Sequence, residues 1–170
     1  MKANETAVDL EAVFRAQYGR IARVIARVVR DSARAEELAV EVFLKLSRHP
    51  QARGDKIEGW LYRTAIRIAL DELRRQTRRS RYELLAAITR KTPTPEEIRA
   101  STEEQERVRL ILSVIDRRGA ELLLLRSQGF SYDELADALS LNPGSIGTLL
   151  SRAQQIFRKE YFERYGNPDE

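Results

Sequence analysis

Apolar residues recur three or four positions apart through much of this chain, which is the spacing that puts them on one side of an α-helix. The clearest example is 8–30, where the stripe comprises Leu10, Val13, Phe14, Gln17, Ile21, Val24, Ile25 and Val28. Aromatic residues make up 7% of the sequence, and 8 glycines and 5 prolines in 170 residues leave few breaks. The chain is therefore predicted to be all-α.

One segment rich in proline, threonine and carboxylates, TRKTPTPEEIRASTEEQE, interrupts the helical pattern at 89–106. Prolines and clustered charges of this kind are typical of a linker. We therefore expect two small helical domains joined by a flexible acidic linker, the C-terminal one a helix-turn-helix. The predicted bounds are 8–85 for the first domain, 86–106 for the linker and 107–165 for the second domain.

The helix-turn-helix is predicted from the segment SYDELADALSLNPGSIGTLLSRA. Ser131 is a good N-cap, and Glu134 three residues later completes a capping box. Asn142 is placed to cap the next helix, with Pro143 in its first turn, where the missing N–H costs nothing. Small Ala136 lets the two helices cross closely, as this motif requires. The inward positions of the last helix are predicted to be Ile146, Leu149, Leu150, Ala153, Ile156 and Phe157.

The outward side of that last helix, called here the helix-turn-helix face, comprises Ser145, Thr148, Arg152 and Gln155. Hydroxyl groups and free N–H groups at a helix start can bind phosphate, and an arginine one turn later adds charge. Arg152 and Gln155 also have the forked ends that read base edges. A helical hairpin that only packs would show much the same pattern, so that alternative stays open.

A longer basic helix is predicted around WLYRTAIRIALDELRRQTRR, with Leu61, Ala65, Ile68 and Ala69 facing inward. The arginine row, defined as the aligned residues of another side, comprises Arg63, Arg67, Arg74 and Arg78, flanked by Arg75, Arg79 and Arg81. Such a row can neutralise several phosphates of DNA. Aromatic residues that could stack on unpaired bases lie nearby, at Trp60, Tyr62 and Tyr82. The alternatives are a solvated charged surface for the arginines and core packing for each aromatic residue.

Composition excludes several classes of protein. The sequence has no cysteine, so it contains no disulfide framework and no thiolate zinc site. It has one histidine, His49, and no recognisable catalytic or metal-binding set, so we expect no enzyme activity, no metal and no cofactor. We find no apolar run that could cross a membrane and no signal-peptide pattern, which favours a cytoplasmic protein. Basic residues dominate from Arg15 to Arg81, which favours a polyanionic partner.

Taken together, three segments resemble extracytoplasmic-function (ECF) sigma factors, the smallest bacterial sigma factors of RNA polymerase. ARAEELAVEVFLKL resembles the region 2 helix that docks on the polymerase clamp, and GWLYRTAIRIALDELRR resembles the helix that melts and reads the minus-ten element. SYDELADALSLNPGSIGTLLSRA resembles the region 4 helix-turn-helix that reads the minus-thirty-five element. The three occur in the family's order with an acidic linker in between, and the match covers most of the chain.

The resemblance implies core RNA polymerase, promoter DNA and an anti-sigma protein as partners. It implies that polymerase is bound by residues of the second predicted helix, named here the α2 face: Glu36, Glu37, Glu41, Leu44 and Lys45. Phe43 lies in the same stretch and could equally belong to the core. DNA would be bound by the helix-turn-helix face and by Arg63, Arg67, Arg74, Arg75, Arg78 and Arg79. The resemblance also implies that a flipped base is caught by the loop HPQARGDKIEG. In the free protein, either the two domains pack together or an anti-sigma protein holds them, and the DNA-binding surfaces are hidden.

The sequence departs from the family at several positions. Glutamine often stands in the family where Val40 stands here, and asparagine where Arg67 stands. The recognition helix lacks two of its usual basic residues, and Ser140 occupies the turn position that glycine usually takes. Two other classes of function therefore stay open: a stand-alone helix-turn-helix regulator, and a divergent sigma-like protein that binds polymerase without initiating transcription.

Overall fold

The computed structural model describes residues 9–49, 54–87 and 103–167. These residues form seven α-helices and no strand, which confirms the all-α prediction. The helices are α1 (Leu10–Val29), α2 (Ser32–Ser47), α3 (Ile57–Ala87), α4 (Glu103–Val114), α5 (Arg117–Ser127), α6 (Tyr132–Leu139) and α7 (Ile146–Tyr165). Two short 3₁₀ turns, Gly54–Lys56 and Pro143–Ser145, lead into α3 and α7. No helix within these ranges is long and apolar enough to span a membrane.

The first three helices pack on one another around a common apolar core. Asp31 caps α2 by accepting a hydrogen bond from the Arg34 N–H at 2.9 Å. Arg30 takes a left-handed conformation (φ 59°), which ends α1 and lets the chain reverse in two residues. The inward positions predicted for α3 are all buried: Leu61, Ala65, Ile68 and Ala69.

The remaining helices form the helix-turn-helix group. Ser131 and Glu134 make the predicted capping box, and the Asn142 side chain accepts from the Gly144 N–H at 2.9 Å. Ser140 is held in a left-handed conformation (φ 54°), the strained turn that the sequence predicts where relatives of this type have glycine. These short-range hydrogen bonds fix the angle between α6 and α7.

Two predicted core positions are wrong. Ile156 is 36% exposed and Phe14 is 37% exposed, although both fall on the apolar stripes of their helices. The stripes themselves continue to pack against the core farther along, at Leu10 in α1 and Phe157 in α7, so helical spacing gives the correct side but not which positions on it are fully covered. Ile146, Leu150 and Ala153 are buried as expected.

The two helical groups pack directly against each other. Helix α3 contacts α4, α5 and α6, and buried side chains form one continuous core across both groups. Ile66, for example, is fully buried and lines the same cavity as Leu112 of α4 and Leu124 of α5. Helix α4 begins at Glu103, within the predicted linker, and 88–102 lies outside the described residues. Because α3 packs against α4, α5 and α6, the side of α3 that carries the arginine row faces the C-terminal helices.

Candidate nucleic-acid interface

The arginine row lies along the seam between α3 and the C-terminal helices. Its members follow one another at intervals of about one or two helical turns, so a single stripe of α3 meets α6, α5 and the end of α4 in succession. At the start of this stripe, Gly59 lies so close to α6 that a Cβ atom built on it would be 3.6 Å from the Ala138 Cβ atom. The small residues at this crossing allow the arginines that follow to reach across the seam.

Arg67 makes the most buried polar contact of the seam, with Glu121 of α5. Its Nε and Nη2 atoms donate to the two carboxylate oxygens of Glu121 at 2.8 Å and 3.3 Å. Glu121 is only 3% exposed, whereas the Arg67 side chain is 44% exposed. A forked guanidinium group facing a carboxylate in this way has the geometry with which arginine also binds phosphate.

Arg63 and Arg74 bind backbone carbonyl groups at the ends of helices. Arg63 Nη1 donates to the Ala138 carbonyl in the last turn of α6 at 2.8 Å, and Arg74 Nη2 donates to the Ile115 carbonyl just after α4 at 3.0 Å. Helix C-termini carry partial negative charge on such carbonyls. Burial, and next the positive charge of Arg67, lower the pKa of Arg63 below the usual value for arginine. Three members of the row are therefore bound to negative groups of the chain itself.

Other charged residues of α3 divide between the seam and the surface. Asp71 lies on the same stripe and pairs with Arg117 of α5. Arg75 faces away and pairs with Glu72 at 2.9 Å. Arg78 and Arg79 are exposed. The structure therefore does not present the six predicted arginines of α3 as one unoccupied surface: Arg63, Arg67 and Arg74 bind groups of the C-terminal helices, whereas the other three make no contact with those helices among the described hydrogen bonds.

The aromatic residues around the row have different surroundings. Tyr62 packs edge-on against Phe130, with ring centroids 5.2 Å apart, and Trp60 is half-buried beside His49. Tyr82 is exposed. In the predicted base-capturing loop, 50–53 lies outside the described residues. Of the three aromatic residues, Tyr82 is the most accessible to an unpaired base in this arrangement.

The helix-turn-helix face is open. Its four residues, Ser145, Thr148, Arg152 and Gln155, are all exposed along the first half of α7. Ser145 makes no capping hydrogen bond with its side chain, so its hydroxyl group is available to a ligand. Gly147 keeps the start of α7 close to α6, because a Cβ atom there would lie 3.5 Å from the Tyr132 ring.

The α2 face is also open, and it contains an apolar patch. Glu36, Glu37, Glu41, Leu44 and Lys45 are all exposed. Val40, one turn before Leu44, is 43% exposed and Leu44 is 52% exposed, so the two form a patch among the carboxylates. The predicted set omits Val40, although its spacing of four from Leu44 places it on this face. Phe43 is buried against Phe14 and Tyr18, so it belongs to the core.

Comparison with known proteins assigns the N-terminal helices to a family. The family model described as sigma-70 region 2 matches residues 13–79, which include most of α1, all of α2 and most of α3. The matched region therefore contains both the α2 face and the arginine row.

Relatives with curated descriptions extend this match over most of the chain. The ECF RNA polymerase sigma factor SigE of Mycolicibacterium smegmatis is 27% identical over 154 residues, which cover 87% of this chain and 59% of SigE. The chain thus spans about three-fifths of the length of SigE. The RNA polymerase sigma factor YlaC of Bacillus subtilis is 28% identical over 157 residues, covering 89% of this chain and 91% of YlaC.

Among solved structures, the chain is similar to the sigma factor RpoE of Bartonella quintana, determined in complex with the anti-sigma factor NepR. The TM-score is 0.49 at 18% identity, and the alignment covers 91% of this chain and 97% of that chain. The similarity to sigma factors rests on these sequence matches, and residues 13–79 contain the first two of the three motifs. The chain therefore contains a sigma-70 region 2 domain at residues 13–79, and over most of its length it is similar to RNA polymerase sigma factors, one of them of the ECF type.

Proposed function

We propose that this chain directs core RNA polymerase to promoter DNA and helps to open it for the initiation of transcription. The observation that carries the proposal is that region 2 has two distinct surfaces on one rigid core. The α2 face presents Val40 and Leu44 among carboxylates, and the arginine row lies on α3. One domain with these surfaces can hold a protein and a nucleic acid at the same time.

The two DNA-binding elements would have separate tasks. The arginine row, together with exposed Arg75 and Arg79, would neutralise phosphates of the separated strand near the start site. The helix-turn-helix face would contact the upstream duplex through Ser145, Thr148 and Arg152. Each contact is modest by itself, but polymerase would hold both elements on one promoter, so that they act together through effective concentration. Binding energy, rather than bond-making chemistry, would drive the opening.

The location and the remaining partner belong to the same proposal. Core polymerase and chromosomal DNA are cytoplasmic in bacteria, so the chain would act in the cytoplasm. An anti-sigma protein would hold it inactive, as the family resemblance implies.

Run-off transcription with core polymerase on a library of genomic promoters tests this function directly. We expect discrete transcripts that require both the chain and the core enzyme. Arg152→Ala should lose upstream protection in a footprint of that complex while leaving thermal stability unchanged. If no promoter supports a transcript and the chain fails to bind core polymerase, the proposal is wrong.

One observation favours a second candidate, a stand-alone helix-turn-helix regulator. The helix-turn-helix face is exposed even though three arginines of the row are bound to the C-terminal helices, so the chain alone has an open surface for duplex DNA. Footprinting without polymerase separates the two functions. A stand-alone regulator protects an operator by itself, whereas a sigma factor requires core enzyme for protection.

A further inference from the structure

We propose that Glu121 is an internal substitute for a DNA phosphate. It binds Arg67 and, with the carbonyls that bind Arg63 and Arg74, helps to keep these three arginines of the row engaged by the C-terminal helices until the two helical groups separate. We call this packing the closed arrangement. The proposal rests on the function given above and deepens it, because it takes the arginine row as the surface that meets the separated strand.

The surroundings of Glu121 argue for this role. A carboxylate that is 3% exposed is costly to bury unless a cation and hydrogen bonds compensate. Within the described residues, its hydrogen bonds are those from Arg67, which belongs to the other helical group. Glu121 is thus compensated only when the groups are packed together. Once they separate, water solvates the carboxylate and Arg67 is free to bind another anion.

The other polar contacts along the seam can also be replaced by contacts with solvent. Arg63 and Arg74 donate to carbonyls of the C-terminal helices, and Asp71 pairs with Arg117. Each of these groups can exchange its partner for water, and each arginine can exchange it for a phosphate, without leaving an unpaired charge in a core. Polar contacts that solvent can replace contribute little net stability, which suits a contact that must open.

Closure affects only one of the three binding surfaces. The α2 face and the helix-turn-helix face are exposed in the closed arrangement, whereas Arg63, Arg67 and Arg74 are engaged. Polymerase and upstream duplex could therefore meet the chain while it is closed. Binding of the separated strand by Arg63, Arg67 and Arg74 requires the helical groups to part, whereas Arg78 is exposed in either arrangement.

Replacing Glu121 with glutamine tests whether its carboxylate takes the place of a DNA phosphate on Arg67. Glu121→Gln keeps the size and one acceptor but removes the charge that holds Arg67. We expect the purified full chain carrying it to bind a fluorescent single-stranded oligonucleotide about ten-fold more tightly in anisotropy titrations at low salt. The matched control is Glu11→Gln, which removes the same charge from an exposed position on α1. It should change binding less than two-fold, roughly the non-specific effect of one surface charge.

A disulfide that locks the closed arrangement provides the second measurement. The Cβ positions of residues 59 and 138 are 3.6 Å apart, inside the usual disulfide range of about 3.5–4.5 Å. The natural chain has no cysteine, so Gly59→Cys with Ala138→Cys forms a single defined pair. In the Glu121→Gln background, oxidation should abolish the gain in oligonucleotide binding and reduction should restore it. The two single-cysteine variants control for the substitutions themselves.

Three results would overturn the proposal: equal binding by Glu121→Gln and Glu11→Gln, a gain that persists in the oxidised form, or no oligonucleotide binding by any variant. Circular dichroism of each variant shows whether it is folded. If Glu121→Gln is not, the same cysteine pair in the otherwise unchanged chain is measured instead, and reduction of its disulfide should increase oligonucleotide binding. None of these measurements includes polymerase. A separate pull-down with core enzyme therefore shows whether the proposed function survives a failure of this inference.

Discussion

The guanidinium group of Arg109 in α4 lies against the C-terminal end of α1, where its Nε atom donates to the Val28 carbonyl at 2.8 Å. Its Nη2 atom donates to the next carbonyl, that of Val29, at 3.0 Å and to Gln76 of α3 at 3.1 Å. The side chain is 15% exposed. One arginine of the C-terminal group thus satisfies the last carbonyls of a helix in the N-terminal group, where α1 has no further turn to do so.

Removing this contact should destabilise the protein. Arg109→Ala leaves two helix-end carbonyls and Gln76 without their donor, so we expect the free energy of unfolding to fall by about 1–3 kcal/mol in urea titrations. Arg15→Ala removes an arginine that is largely exposed, and its effect should stay within about 0.5 kcal/mol. Equal losses in the two variants would show that Arg109 is not a structural contact.

Polymerase binding should depend on the apolar patch of the α2 face. Leu44→Ser removes a side chain that covers little core, so stability should change by no more than about 0.5 kcal/mol. Affinity for core polymerase should fall about ten-fold or more, because apolar anchors dominate such interfaces. Surface plasmon resonance with immobilised core enzyme measures the loss. Val114→Ser, at a similarly exposed position on α4, is the matched control and should retain affinity.

The exposed end of the arginine row should contribute to the salt dependence of DNA binding. Arg78→Ala removes one potential phosphate contact without disturbing the seam, because Arg78 is exposed. In promoter-opening assays with core enzyme, the slope of log affinity against log salt should decrease by about one. Arg15→Ala again serves as the control, on a different helix. An unchanged slope for Arg78→Ala would mean that the row does not reach DNA at this position.

The capping box of α6 should make stability depend on acid pH. Hydrogen bonds from the Ser131 backbone and side chain lower the pKa of Glu134 below its usual value of 4.5. A depressed pKa in the folded state means that the unfolded chain binds more protons at acid pH. The contribution of Glu134 is therefore present above pH 4.5 and is lost as pH falls through its lowered folded value.

Urea denaturation between about pH 6 and about pH 3 measures this contribution. Glu134→Gln should lower stability at the upper end of the range and have little effect at the lower end. Glu163→Gln, at an exposed carboxylate 3.8 Å from Lys159, is the control and should show no such convergence. A constant difference between Glu134→Gln and the unchanged chain across the range would contradict the prediction.

Local chemistry explains why much of the fold was predictable. Caps such as Asp31, Ser131 and Asn142 act within three residues, and the inward stripe of α3 follows from helical spacing alone. The open α2 and helix-turn-helix faces follow from the same spacing, since polar residues opposite an apolar stripe face solvent. For these elements the sequence contains both partners of each interaction within one or two helical turns.

The contacts along the seam could not be predicted from the sequence, because local spacing does not show which distant residues meet. Arg67 and Glu121 are 54 residues apart, and nothing in the apolar segment around Glu121 marks it as the partner of a distant arginine. The spacing of the arginine row correctly predicted a shared side of α3, but not which helices that side would meet. Packing of the two domains in the free protein was expected only from the family resemblance. The carbonyls that bind Arg63 and Arg74 belong to the backbone, which every residue has, so the sequence does not mark these contacts.

The meeting of Gly59 and Ala138 sets how near the axes of α3 and α6 come, since neither residue has more than one side-chain carbon. A bulkier residue at either position would act as a wedge and push the helices apart without touching any charge that meets DNA. A single codon change there could therefore raise the resting activity of such a protein in evolution, or in engineering, while its promoter preference stays the same.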